Sequence, residues 1–131
     1  MHNNINIYIY NYNGVEYEVL VDSKAGYSIE DTENIGSFFF LKDGKRVSKS
    51  AGLVGVEIQN DDALTDYGTV LKERKDKNAV YRLYEMKDDE NTEKDSYMVK
   101  VDFLKKNGCL IFSSDCSLEE FKELFDCFKV S

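Results

Sequence analysis

Histidine occurs once in this chain, as His2 beside the first methionine, and that scarcity removes a large share of enzyme chemistry. A serine or cysteine nucleophile is ordinarily activated by an imidazole that a third group holds in place. Zinc sites draw on histidine or on closely spaced cysteines. Cysteine is scarce as well: Cys109, Cys116 and Cys127 are odd in number and contain no Cys-x-x-Cys pair. They read as free thiols of a reducing cytosol rather than as a disulfide framework. Proline is absent, and neither a repeat nor a low-complexity tract marks a boundary, so residues 1–131 are expected to form a single domain. The opening residues lack the basic and apolar regions of a secretion signal, and no stretch approaches the roughly 18 apolar residues of a membrane span. The expected location is the cytoplasm, away from any membrane.

What is present is enough to fold. The chain has 131 residues, 42% hydrophobic and 13% aromatic, which suits one ordered core and argues against disorder of the whole. It carries 25 acidic and 17 basic residues for a formal net charge of −8. Such a surface repels the nucleic acid backbone and anionic lipid and attracts basic proteins.

The clearest local signal is at the start. Ile5 to Tyr12 and Val15 to Val21 flank Asn13-Gly14, a pair that favours the two-residue turn of a β-hairpin. That register sets Tyr8, Tyr10, Tyr12, Tyr17, Val19 and Val21 on one face. Ile5, Ile7, Ile9 and Leu20 share the other with Asn11, Glu16 and Glu18. Polar residues follow from Asp22 to Ser37, where Ser28-Ile-Glu-Asp could begin at most a short helical turn. A second hairpin is predicted from Phe38 to Leu41 and Arg46 to Lys49 around Asp43-Gly44, and another strand from Leu53 to Gln59. Asp61 or Asp62 can cap a mid-chain helix bearing Leu64, Tyr67 and Leu71, with Gly68 inside it at a cost of about 1 kcal/mol. Ala79 to Met86 and Ser96 to Leu104 read as long strands, and Cys109 to Ser113 as a further one. Ser117-x-x-Glu120 is a capping box opening an amphipathic helix to about Phe128, with Leu118, Phe121, Leu124, Phe125 and Phe128 on its apolar stripe. The expected fold class is α+β: a mostly antiparallel sheet or partly closed barrel of six to eight strands, one mid-chain helix, and a C-terminal amphipathic helix packed on the sheet.

Three groups of residues carry candidate chemistry. Carboxylates at Asp61, Asp62 and Asp66, or at Asp88, Asp89 and Glu90, could offer hard oxygen ligands to Mg²⁺ or Ca²⁺, but their spacing matches no ordered calcium loop. A pair of aspartates at a helix start more often serves as a cap. Lys42, Lys45, Arg46 and Lys49 give residues 42–49 a local charge of +3 without the glycine pattern of a phosphate cradle. The stretch from Glu85 to Asp95 holds half the net charge, −4 over eleven residues. There Asp88, Asp89, Glu90, Glu93 and Asp95 could steer a basic partner. Tyrosine is a favoured interface anchor when partly exposed and a core residue when its hydroxyl finds a partner. Tyr8, Tyr10, Tyr12 and Tyr17 admit both readings.

In outline, several antiparallel strands closed by an amphipathic helix look broadly like a pleckstrin-homology-type barrel. Small acidic toxin-immunity proteins and phage-encoded nuclease inhibitors are similar in overall profile. The leading functional expectation is a non-enzymatic protein without metal or cofactor. It would neutralise a basic partner of the nuclease type, with no direct contact to nucleic acid. Its interface would comprise Tyr8, Tyr10, Tyr12, Tyr17, Glu16, Glu18, Asp88, Asp89, Glu90, Glu93 and Asp95. The alternatives are a pleckstrin-homology-like adaptor that takes a peptide or phosphorylated headgroup on the basic 42–49 hairpin, and a carboxylate-based metal enzyme.

Overall fold

The computed structural model describes residues 5–12, 14–33, 36–54, 68–86 and 96–131, the side chains of 51–54 and 96 excepted. Its elements in chain order are β1 (Ile5–Tyr12), β2 (Val15–Asp22), β3 (Tyr27–Asp31), β4 (Phe38–Lys42), β5 (Lys45–Val54), β6 (Thr69–Lys75), β7 (Ala79–Met86), β8 (Ser96–Phe103), β9 (Cys109–Ser114), α1 (Leu118–Asp126) and β10 (Phe128–Val130). Every strand pairing among the described residues is antiparallel. The mostly antiparallel α+β character and the C-terminal helix thus stand. The described strands form two sheets rather than one barrel: β1-β2-β10, and β3-β4-β5-β9-β8-β7-β6.

The first hairpin takes the predicted register, Tyr12 opposite Val15 through Ile5 opposite Asp22, with Gly14 at φ +81° in its turn. The second turns at Asp43 and Gly44, both at positive φ, as a two-residue hairpin loop requires. Ser28-Ile-Glu-Asp is not helical. It lies in β3, paired with β4 from Ser28 opposite Leu41 to Asp31 opposite Phe38, because alternate residues can face the core while the rest stay in solvent.

The mid-chain helix is corrected over its last part, since Thr69–Lys75 is β6, paired along β7, and Leu71 lies in that strand. Gly68 sits just before it at φ +140°, where an added Cβ would collide with the Glu85 carbonyl oxygen. A glycine that is costly inside a helix is therefore required by close backbone approach to β7. Asp61, Asp62, Leu64, Asp66 and Tyr67 lie outside the described residues, as does the 55–59 part of the strand expected from Leu53, whose first two residues belong to β5.

The helix α1 opens on the capping box: the Ser117 hydroxyl accepts from the Glu120 amide, and the Glu120 carboxylate accepts from the Ser117 amide. It buries Phe121, Leu124 and Phe125, while Leu118 is half-buried against the core. The helix stops at Asp126 rather than Phe128, and Phe128–Val130 pairs with β2 as the third strand of the small sheet. Phe128 fits both the helical stripe and the alternation Phe128 in, Lys129 out, Val130 in, and the free edge of β2 decides between them.

The small sheet and α1 lie against one face of the large sheet. Tyr17, Val19 and Val21 from β2 meet Phe38, Phe40, Tyr81, Leu83, Val99, Val101, Phe103, Leu110 and Phe112 in one core, closed by Phe121, Leu124, Phe125, Phe128 and Val130. Phe128 is central, with its ring against Phe40, Phe112 and Tyr81. Arg74 of β6 locks this corner. Its guanidinium stacks 3.6 Å from the Tyr81 ring centroid and donates to the carbonyls of Phe125 and Phe128, supplying the cation that the end of α1 lacks among its own residues. A second latch runs from the Val130 amide to the Tyr81 hydroxyl (2.8 Å), which donates to Asp76 (2.9 Å). No helix among the described residues is long and apolar enough to cross a membrane.

Candidate protein-binding face

The two faces of the β1–β2 hairpin have opposite fates. Tyr17 is fully buried, and Tyr8, Tyr10 and Tyr12 are partly buried against the core. Tyr10 stacks on Phe38 and Tyr17, with centroids 5.0 and 5.5 Å apart. Each of these two hydroxyls finds an acceptor: Tyr10 donates to Asp31 at 2.7 Å and Tyr17 to the Gly36 carbonyl at 3.3 Å. Burial pushes the Tyr17 phenol up to about 12, helped by the charge of Asp31. Burial and the bond to Asp31 push Tyr10 higher still, so both stay neutral donors. Tyr17 is thereby corrected as an exposed anchor: it belongs to the core, and the other three line its margin.

The exposed apolar residues of this hairpin are the isoleucines. Ile5, Ile7 and Ile9 are 47%, 56% and 64% exposed, in one row on the outer face of the small sheet. The register sets Ile5 beside Asp22, Ile7 beside Leu20 and Ile9 beside Glu18, so the apolar row is flanked by carboxylates of β2, with Glu16 beyond. The Glu18 carboxylate accepts from the Ser131 hydroxyl at 3.0 Å, and Lys106 donates to the Glu16 and Ser131 main-chain carbonyls. A groove of about 220 Å³ continues the face past Ile5 and Leu20 toward Arg74, Asp126 and Lys129. The sequence held the deciding signal in β2 rather than β1. Turning the hairpin over would bury Glu16, Glu18 and Asp22, far costlier than burying phenols that find acceptors.

The remaining candidates separate. Glu16 is exposed and Glu18 half-buried on this outer face. Asp88, Asp89, Glu90, Glu93 and Asp95 lie outside the described residues, in the connection between the paired ends Met86 and Ser96. In the basic hairpin, Lys42 pairs with Glu123 of α1 and Arg46 with Glu30 of β3, leaving Lys45 and Lys49 as its other cations. Arg46 and Lys49 also lie over the Phe39 ring. Lys42 and then the Tyr27 hydroxyl, both hydrogen-bonded to Glu123, hold its carboxyl below the usual range. Lys42 and Arg46 thus already neutralise carboxylates of the same molecule. Among the described residues no three histidine, cysteine, aspartate or glutamate side chains form a group able to hold a metal. The three cysteines are free thiols. Burial pushes Cys109 and Cys116 up to about 11, which leaves them protonated and weakly nucleophilic at neutral pH.

On the opposite face of the large sheet lies a second charged cluster. Lys100 is fully buried and donates to Asp102 at 2.7 Å, and Arg82 bridges Asp102 and Glu73. Two carboxylates meet two cations there, so the cluster is neutral overall and reads as part of the scaffold.

Comparison with protein families, with curated proteins and with solved structures returned no match.

Proposed function

We propose that this chain is a non-enzymatic, acidic binding protein that neutralises a basic partner protein by covering its functional surface. The partner class is a nuclease-type toxin or defence nuclease, whose substrate phosphates the carboxylates would mimic. The observation that carries this reading is the exposed row Ile5, Ile7 and Ile9 beside Leu20, rimmed by Glu16, Glu18 and Asp22. An apolar centre with a charged rim is the arrangement of a protein-binding patch, and the sign of the rim and the net charge of −8 select basic partners. The acid-rich stretch containing Asp88, Asp89, Glu90, Glu93 and Asp95 adds steering charge in this proposal. The isoleucines replace the tyrosines as anchors, and the hairpin keeps the role first assigned to it.

The test is affinity capture from the native host with the wild-type chain, an Ile7→Ser/Ile9→Ser variant and a Glu16→Gln/Glu18→Gln variant. The expected result is a basic protein held by the wild type, lost with the isoleucine variant, and captured more weakly and with less salt dependence by the glutamine variant. Equal capture by all three, with folding intact, overturns the assignment of this face.

A further inference from the structure

We propose that two copies of this chain associate through antiparallel pairing of their β1 strands, joining the small sheets into one six-stranded sheet. The contact uses the edge of β1 that is unpaired among the described residues, not its outer face, and does not depend on the partner proposed above.

The described sheets have four edge strands, and three are guarded. β3 is five residues long and ends in Glu30 and Asp31. β6 carries Lys72, Glu73, Arg74 and Lys75 and a register irregularity between Val70 and Lys72. β10 has three residues. Short length, charge and bulges are the usual means by which edges avoid pairing with other chains. β1 has none of them. It is eight residues long, its sequence Ile-Asn-Ile-Tyr-Ile-Tyr-Asn-Tyr bears no charge, and its register with β2 is unbroken over all eight pairs.

The hydrogen bonds of β2 show which main-chain groups of β1 face outward. The Glu18 amide donates to the Ser131 carbonyl at 2.9 Å, and the Glu18 carbonyl accepts from the Ser131 amide at 3.0 Å. Both groups of Glu18 therefore point toward β10, and Ile9, opposite Glu18 in β1, receives neither. The Asp22 amide likewise donates to Cys127, away from Ile5. Antiparallel alternation extends the pattern: Ile5, Ile7, Ile9 and Asn11 aim amide and carbonyl at the open edge, while Asn6, Tyr8, Tyr10 and Tyr12 exchange bonds with β2.

These four outward residues are complementary to their own reverse. With Tyr8 opposite Tyr8 of the second copy, Ile7 meets Ile9, and Ile5 meets Asn11. All four outward residues then pair, each with another outward residue, so the edge is saturated in one symmetric register. The contact is isologous and closes as a dimer. Charge permits it as well. The strand itself is neutral, and the acidic rows of the two β2 strands would lie three strand spacings apart, about 14 Å. That exceeds the screening length of about 8 Å at physiological salt, so the net charge of −8 does not oppose this contact as it would others.

The test is sedimentation of the purified full chain over a wide concentration range, with two variants at positions already more than half exposed. Wild type is expected to dimerise. Ile7→Lys/Ile9→Lys places lysine opposite lysine and should raise the dimer dissociation constant about tenfold or more. Ile7→Glu/Ile9→Lys places glutamate opposite lysine and should restore the dimer, while the lysine introduced at position 9 also faces Glu18 within its own copy. Circular dichroism checks that each variant folds. Amide exchange at Ile5, Ile7, Ile9 and Asn11 should slow with rising protein concentration, while Asn6, Tyr8 and Tyr10 stay protected throughout. A wild type that is monomeric at every concentration, or a dimer that survives the double-lysine change, overturns the proposal. A dimer that the glutamate–lysine variant fails to restore overturns the register and with it the symmetric pairing.

Discussion

The tyrosine and isoleucine faces of the first hairpin have the same backbone, the same turn and a similar apolar content, yet one is core and the other is surface. The difference arises from their neighbours. Phe38 and Tyr17 receive the Tyr10 ring, and Asp31 and Gly36 receive the Tyr10 and Tyr17 hydroxyls, whereas the outer face has Glu16, Glu18 and Asp22 across β2. Amphipathic rings with satisfied hydroxyls can be buried more cheaply than carboxylates without cations, even when pure hydrocarbon is displaced to the surface as a result.

The contrast is broken most severely from the inside. Tyr17→Ala should destabilise the fold by about 3–5 kcal/mol, as for other large aromatic deletions in a packed core. Urea unfolding followed by circular dichroism measures it, and a loss below about 1 kcal/mol would mean that the tyrosine face is not the inner one. Next in size is Arg74→Ala, which removes charge-assisted bonds to the Phe125 and Phe128 carbonyls and the stack on Tyr81. A cost of about 2 kcal/mol is expected, together with faster amide exchange in β10 than in β7.

Acid should loosen the same corner. Burial raises the Asp76 carboxyl, but bonds from the Asn78 amide, the Tyr81 hydroxyl and the Ala79 amide, with the charge of Arg74, outweigh it and leave the group below its ordinary value. Its contribution is therefore complete above the unfolded-state value of about 4 and is lost as pH falls through the lower folded-state value. Melting temperatures measured downward from neutral pH should drop less below about pH 4 in Asp76→Asn than in wild type. The smallest effect belongs to the outer face: Ile9→Thr should change stability by less than about 0.5 kcal/mol, and a larger loss in urea would show that this isoleucine is packed rather than presented.

Much of the scaffold was legible because local rules agreed. Asn13-Gly14, Asp43-Gly44 and the Ser117–Glu120 box each specify a turn or cap through their own backbone chemistry, and Tyr97, Val99, Val101 and Phe103 fall on one face of β8. What could not be read depended on distant partners. Phe128 satisfies two periodicities, and only the free side of β2 makes it a strand. Gly68 argues against a helix in isolation, but its need to pass the Glu85 carbonyl is visible only once β6 and β7 lie side by side. The proposed anchors move from one face of the first hairpin to the other, because the tyrosines of β1 read as anchors only when weighed apart from the carboxylates opposite their neighbours. Arg74 gave no local sign of its role, since its partners belong to α1, β7 and β10.

The pairing of β10 with β2 has a kinetic consequence. Glu18 and Ser131, whose main-chain and side-chain groups bond, are 113 positions apart. Closing so long a loop is entropically costly and slow compared with forming a hairpin around a two-residue turn. During folding the β1–β2 hairpin should therefore exist for a time with the β10 side of β2 unpaired as well as the outer edge of β1. In that interval both edges of the hairpin are free, and the molecule should be most prone to aggregate.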